Sequence, residues 1–104
     1  MEETLTACPV EQAIRIIGGK WKLLVLRSLL LNGPQRYNDL LKTVTAISPK
    51  ELTRNLRDLM NTGLVERSSG SGLRVRYNLT ELGMGLMPVF KRLLIWGKKL
   101  AVSA

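Results

Sequence analysis

The sequence predicts an α+β fold that is mainly α, and three observations carry this. Apolar residues recur at helical spacing through most of the chain, one stretch around residue 75 alternates with period two, and Gly, Pro and Ser clusters separate the segments. At 104 residues with 45% hydrophobic content, one domain with one modest core is expected over 1–104. No repeat and no linker divides it.

Pro9 opens an amphipathic helix with Val10, Ala13, Ile14 and Ile17 on one side, and Gly18-Gly19 ends it. A second helix runs from about Lys20 to Leu31. Trp21, Leu23, Leu24, Val25, Leu26, Leu29 and Leu30 cover most of its circumference, which makes it the expected buried central helix. Asn32-Gly33-Pro34 stops it. A third, short helix begins at Tyr37-Asn38, with Asn38 as its expected N-cap and Leu40, Leu41 and Val44 apolar.

The segment 47–59 is the most informative. Ser48 is a natural N-cap, Pro49 suits the first turn, and Glu51 completes a capping-box pattern. Leu52, Leu56 and Leu59 form an apolar stripe. Lys50, Thr53, Arg54 and Arg57 share another face, which is cationic and rich in hydrogen-bonding groups. Such a helix suits the major groove of DNA, where Arg and Lys reach guanine edges and Thr meets a thymine methyl. The alternative is a surface helix whose charges only solvate it. Two short helices joined by the turn Thr45-Ala46-Ile47 form a helix-turn-helix, and Tyr37 is expected to pack beneath it.

Gly63 closes that helix, and Leu64-Val65-Glu66-Arg67 is strand-like. Leu73, Val75, Tyr77 and Leu79 alternate with Arg74, Arg76 and Asn78, and Ser68-Ser69-Gly70-Ser71-Gly72 forms the tip between. A basic hairpin directly after a helix-turn-helix is a wing. The expected architecture is thus a winged helix-turn-helix with a small β-hairpin wing and extra N- and C-terminal dimerisation helices.

Thr80 caps the last helix, and Gly83, Gly85 and Pro88 predict a kink or break near Pro88. Leu82, Leu86, Val89, Leu93, Trp96 and Leu100 make one apolar stripe; Met87, Phe90, Leu94 and Ala101 make a second. Two stripes suit two partners, this subunit's core and a second subunit, with Ile14, Leu93, Trp96 and Leu100 as interface candidates. One thick stripe in a single core is the alternative.

Sixteen Lys and Arg against eight Asp and Glu give a net charge of +8, which favours an anionic partner. The chain has no histidine, one cysteine and only scattered carboxylates, so no metal set, no cofactor and no catalytic constellation is expected. Gly18-Gly19-Lys20 lacks the rest of a phosphate-binding loop. No run approaches the ~20 apolar residues of a membrane span. The opening Met1-Glu2-Glu3 lacks the basic start of a signal peptide, so a cytoplasmic location is expected. Cys8 precedes Pro9 at a helix start, where a thiol can become reactive towards oxidants or electrophiles; a small residue buried in a dimer interface is the alternative.

The order and spacing of several motifs also carry a resemblance. They are Cys8-Pro9-Val10-Glu11, Ile17-Gly18-Gly19-Lys20-Trp21, Arg36-Tyr37-Asn38-Asp39-Leu40, Ile47-Ser48-Pro49-Lys50-Glu51-Leu52-Thr53 and Leu56-Arg57-Asp58-Leu59. Gly63-Leu64-Val65-Glu66-Arg67, Tyr77-Asn78-Leu79-Thr80-Glu81-Leu82-Gly83 and Trp96-Gly97 continue the series. Over about residues 8–98 the chain resembles the HxlR (DUF24) family of bacterial winged helix-turn-helix transcriptional regulators. The resemblance implies a homodimer on a palindromic operator, with N- and C-terminal helices making the dimer. In some members a cysteine placed like Cys8 senses electrophiles or oxidants. The wing departs from the family pattern, with a Gly/Ser tip and Arg76 in place of an acidic residue before the tyrosine.

The expected function is therefore sequence-specific transcriptional regulation by a dimer, not catalysis. The candidate DNA contacts are Lys50, Thr53, Arg54 and Arg57 for bases. Ser48, Arg36 and Lys20, with Lys22 a further candidate, are candidates for the backbone, and Arg74 and Arg76 for phosphate or the minor groove. Double-stranded DNA and a second copy are the expected partners, and a small-molecule or oxidant effector is compatible. A winged-helix interaction module, or one binding nucleic acid without sequence preference, is the alternative.

Overall fold

The structure is a computed structural model, and it describes residues 8–69 and 74–103. Along the described chain run α1 (Cys8–Ile17), α2 (Lys20–Asn32), α3 (Tyr37–Thr43), α4 (Pro49–Asn61), β1 (Val65–Ser69), β2 (Val75–Leu79), α5 (Glu81–Met84) and α6 (Met87–Ser103). Leu73, the expected Gly70–Gly72 tip and the side chain of Ala101 lie outside the described residues.

The core forms where α2, α3, α4 and the hairpin converge. Val25, Leu26 and Leu29 of α2 meet Leu40 and Val44 from α3, Leu52, Leu56 and Leu59 of α4, and Ile47, Leu64 and Val65. α2 is central, as its composition requires, and packs on α3, α4 and β2. Its buried arc is narrower than expected, though. Trp21, Leu23, Leu24 and Leu30 are only half-buried, and Leu31 is exposed. The contacts with α3, α4 and β2 leave part of the circumference of α2 uncovered.

α1 leans on this core through Ile16 and Ile17. Its other apolar residues, Val10, Ala13 and Ile14, face outward. Gly19 lies between α1 and α2 at φ +101°, a conformation that side chains with a Cβ rarely adopt.

α3 is capped two residues earlier than expected, at Arg36 and not at Asn38. The Asp39 carboxylate accepts from the Arg36 backbone N–H at 3.3 Å, so the helix is fixed at Arg36 and Asn38 falls inside the first turn. The turn to α4 then places Ala46 at φ +71°. A left-handed non-glycine residue costs roughly 1–2 kcal/mol. That bend carries Ile47 into the core, where it is buried.

β1 and β2 pair antiparallel, with Val65 opposite Leu79, Arg67 opposite Tyr77 and Ser69 opposite Val75. Ser68 and Ser69 therefore belong to the strand and not to the tip. The hairpin also has a third partner that the sequence does not advertise. Gln35 donates its backbone N–H to the Tyr77 carbonyl at 3.1 Å and accepts from the Tyr77 N–H at 2.7 Å. Its side chain turns the other way, into a polar ring in which Ser28 and Gln35 are buried and Thr43 is at the exposed edge. The Gln35 amide donates to the Ser28 hydroxyl at 2.9 Å and to the Ser28 carbonyl at 3.2 Å. Ser28 donates to the Thr43 hydroxyl at 2.7 Å, and Thr43 donates back to the Gln35 carbonyl oxygen at 2.8 Å. α2, α3 and β2 are thereby tied through one residue.

Thr80 caps α5, accepting from the Gly83 N–H at 3.1 Å, while its own hydroxyl donates to the Gly63 carbonyl. Gly83 is buried so tightly that a Cβ would overlap the Leu64 carbonyl oxygen. The expected break falls at Gly85-Leu86, ahead of Pro88, which sits in the first turn of α6 and interrupts nothing. From α6 and the turn before it, Phe90 and Leu86 pack on the core. Val89, Leu93, Leu94, Ile95, Trp96 and Leu100 are exposed, Trp96 by 59%.

Replacing Gln35 by Leu leaves the buried Ser28 hydroxyl without its amide donor and the Thr43 hydroxyl, at the exposed edge of the ring, without its acceptor. The expected loss is about 2 kcal/mol, read as a lower urea midpoint at unchanged slope. A shift below ~0.5 kcal/mol would show that the ring carries no net stability.

Candidate nucleic-acid interface

α4 is positioned from both ends and from beneath. Ser48 accepts from the Glu51 N–H at 3.1 Å, and Pro49 occupies the first turn. The Glu51 carboxylate does not reach back to complete a capping box; it lies 3.5 Å from Arg54. Leu52, Leu56 and Leu59 are buried. Asn55 is buried beside them and donates to the Glu51 carbonyl at 2.6 Å. This polar group in the apolar stripe was not anticipated, but its amide is satisfied within the helix, so the stripe still packs.

The opposite face is open. Pro49, Lys50, Thr53, Arg54 and Arg57 line one shallow depression, and all five are exposed. Three of the five are cationic and none is acidic. Lys50 and Arg57 make no hydrogen bond or ion pair among the described residues. The Arg54–Glu51 pair has its Arg side chain 60% exposed, so it is a weak, screened contact that an anion can replace. Asp58 lies off this face and pairs with Lys22 at 3.7 Å.

The sequence places Tyr37 beneath the helix-turn-helix as a packing residue only. Its ring is half-buried against the core, but its hydroxyl reaches the open face. It donates to the Pro49 carbonyl at 2.8 Å and lies 2.9 Å from the Thr53 hydroxyl. No short spacing in the sequence links positions 37 and 53, so no local motif could have exposed this contact.

The other candidates sit apart from the depression. Ser48 is at the N-terminus of α4. Arg36 pairs with Asp39 at 3.5 Å. The Lys20 ammonium sits 4.6 Å from the centre of the Trp21 ring. Arg74 and Arg76 are exposed on the wing. Lys22, committed to Asp58, is the least available of the basic candidates. Cys8 is exposed at the first described residue of α1, and Ile14, Leu93, Trp96 and Leu100 are exposed on α1 and α6. Among the described residues no group of three His, Cys, Asp or Glu could hold a metal ion, and no helix is long and apolar enough to cross a membrane.

This arrangement is that of a winged helix-turn-helix, and the HxlR-like helix-turn-helix family model matches residues 16–103. The chain belongs to the HxlR family. It is 41% identical over 93 residues to the HTH-type transcriptional regulator YkvN of Bacillus subtilis, an alignment covering 88% of this chain and 78% of that protein. The reduced form of YodB from B. subtilis superposes with a TM-score of 0.77 at 33% identity, over 88% of this chain and 92% of YodB. The redox regulator HypR in its oxidised form gives 0.77 at 34% identity, over 88% of this chain and 96% of HypR. The HxlR-type protein is thus a transcriptional regulator of the helix-turn-helix class and not an enzyme.

Ser48→Ala in this regulator removes the acceptor for the Glu51 N–H. It is expected to cost about 1 kcal/mol in global stability, measured by thermal or urea unfolding.

Proposed function

We propose that this HxlR-type regulator acts as a homodimer that reads a palindromic operator, with α4 of each subunit in the major groove of one half-site. The observation that carries this is the open face of α4, three cations and a threonine in one depression without a carboxylate, backed by buried leucines. Lys50, Thr53, Arg54 and Arg57 face the bases. Ser48, Lys20, Arg36, Arg74 and Arg76 serve the phosphate backbone, which positions the helix without reading sequence.

The exposed apolar residues of α1 and α6 supply the second half of the proposal. Ile14, Leu93, Trp96 and Leu100 form the subunit contact, because an apolar surface of this length is rarely left in water. Two-fold symmetry then sets the reading helices about 34–36 Å apart, or a multiple of that.

Binding by fluorescence anisotropy, near physiological salt, compares DNA flanking the protein's own gene with a scrambled duplex. A preference of ~10³-fold or more is expected for a specific regulator. Equal binding to every duplex tried, including a genome-wide selection, would favour the interaction or nonspecific module. Arg57→Ala is expected to lower operator affinity by ~1–3 kcal/mol if Arg57 reads a base. A uniform weakening on all duplexes, with a salt slope smaller by about one, would reassign it to phosphate.

Cys8 is the chain's single thiol and is exposed on the helix that also carries Ile14. HypR is a redox regulator with an oxidised form, and YodB has a reduced one. On that basis Cys8 is the proposed sensor, acting by disulfide formation with another thiol or by adduct formation with an electrophile, and so altering the spacing of the two α4 helices. Cys8→Ser is expected to bind the operator normally and to lose any response to diamide. A response that survives in this variant would remove Cys8 from the mechanism.

A further inference from the structure

The Tyr37 hydroxyl bridges the two helices of the helix-turn-helix, and its single proton can serve only one of its two neighbours. The Pro49 carbonyl, 2.8 Å away, carries no hydrogen, so Tyr37 is the donor there. The Thr53 hydroxyl, 2.9 Å from the same phenol oxygen, must then donate its own proton to Tyr37. Thr53 is left with oxygen lone pairs and a methyl group, and no proton, to present from the exposed face of α4.

We propose that Tyr37 is a positioning residue that makes Thr53 an acceptor-only reader, selecting an amino base, adenine or cytosine, over a keto base, guanine or thymine, at one position of each half-site. The inference rests on the reading that α4 enters the major groove. There the N6 amino group of adenine and the N4 amino group of cytosine are donors, while guanine O6 and thymine O4 are acceptors. A free threonine hydroxyl serves either class by rotation. One whose proton is held by Tyr37 serves only donors.

The test begins with duplexes selected by the wild-type protein from a randomised pool. Each consensus position is then varied, and binding is measured for the wild type, Tyr37→Phe and Thr53→Val. The wild type is expected to prefer adenine or cytosine at one half-site position by about threefold to tenfold, the worth of a single hydrogen bond. Thr53→Val loses that preference. Tyr37→Phe, which keeps the ring and frees the threonine proton, lowers it to about twofold or less. Tyr37→Phe leaves every other position and the affinity for scrambled DNA unchanged, an outcome that mere loss of packing would not produce. Replacing an adenine there by purine, which lacks the 6-amino group, weakens the wild type and not Thr53→Val. The inference is overturned if Tyr37→Phe leaves all base preferences intact, or if the position sensitive to Thr53 prefers guanine or thymine. Should the selection yield no consensus, the operator-reading proposal fails as well. A consensus that ignores both substitutions sinks this inference alone.

Discussion

Gln35 joins the two parts that a winged helix-turn-helix must hold in register. Its backbone pairs with Tyr77 of the wing, and its side chain closes a ring with Ser28 of α2 and Thr43 of α3. Each hydroxyl of the ring donates once and accepts at least once, and both amide atoms of Gln35 are engaged. Ser28 and Gln35 are buried, so losing the partner of either leaves a desolvated polar group costing ~1–3 kcal/mol. The ring therefore fixes more than the local geometry. α3 and the wing cannot move independently of α2, and α4 is packed against all of them.

On that frame α4 divides its work by face. Leucines and a satisfied asparagine hold it to the core, Ser48 fixes its start, and Tyr37 clamps its first turn from α3. Lys50 and Arg57 are left without partners among the described residues, and Arg54 has only an exposed one. The other charges that could compete are already engaged: Asp58 with Lys22, and Asp39 with Arg36. Positive charge is thus concentrated on a helix anchored to the core by its other face, which favours defined contacts over a diffuse electrostatic film.

Much of this was legible in the sequence, and the reason is local. The Ser48-Pro49 start, the leucine spacing of α4 and the period-two run of β2 are short-range patterns that the chain obeys. So is the break between α5 and α6, which falls at Gly85-Leu86, just ahead of Pro88. Features that depend on long-range pairing leave no local signal. Gln35 reads as an ordinary residue after a turn, because its partners lie at 28, 43 and 77. Tyr37 reads as core, because its partner Thr53 lies sixteen residues on. Asn38 was expected to cap α3 from its residue type, and the Asp39 carboxylate on the Arg36 N–H decided otherwise.

The central claim is that α4 enters the major groove of each of two symmetric half-sites. Dimethyl sulfate protection on a selected duplex tests it directly, because guanine N7 is reached from that groove alone. Two patches of protected N7 atoms are expected, separated by one helical turn, about 10–10.5 base pairs, or a multiple, both weakened by Arg57→Ala. A bound complex that leaves every guanine N7 reactive, or that protects a single unpaired patch, would contradict the claim.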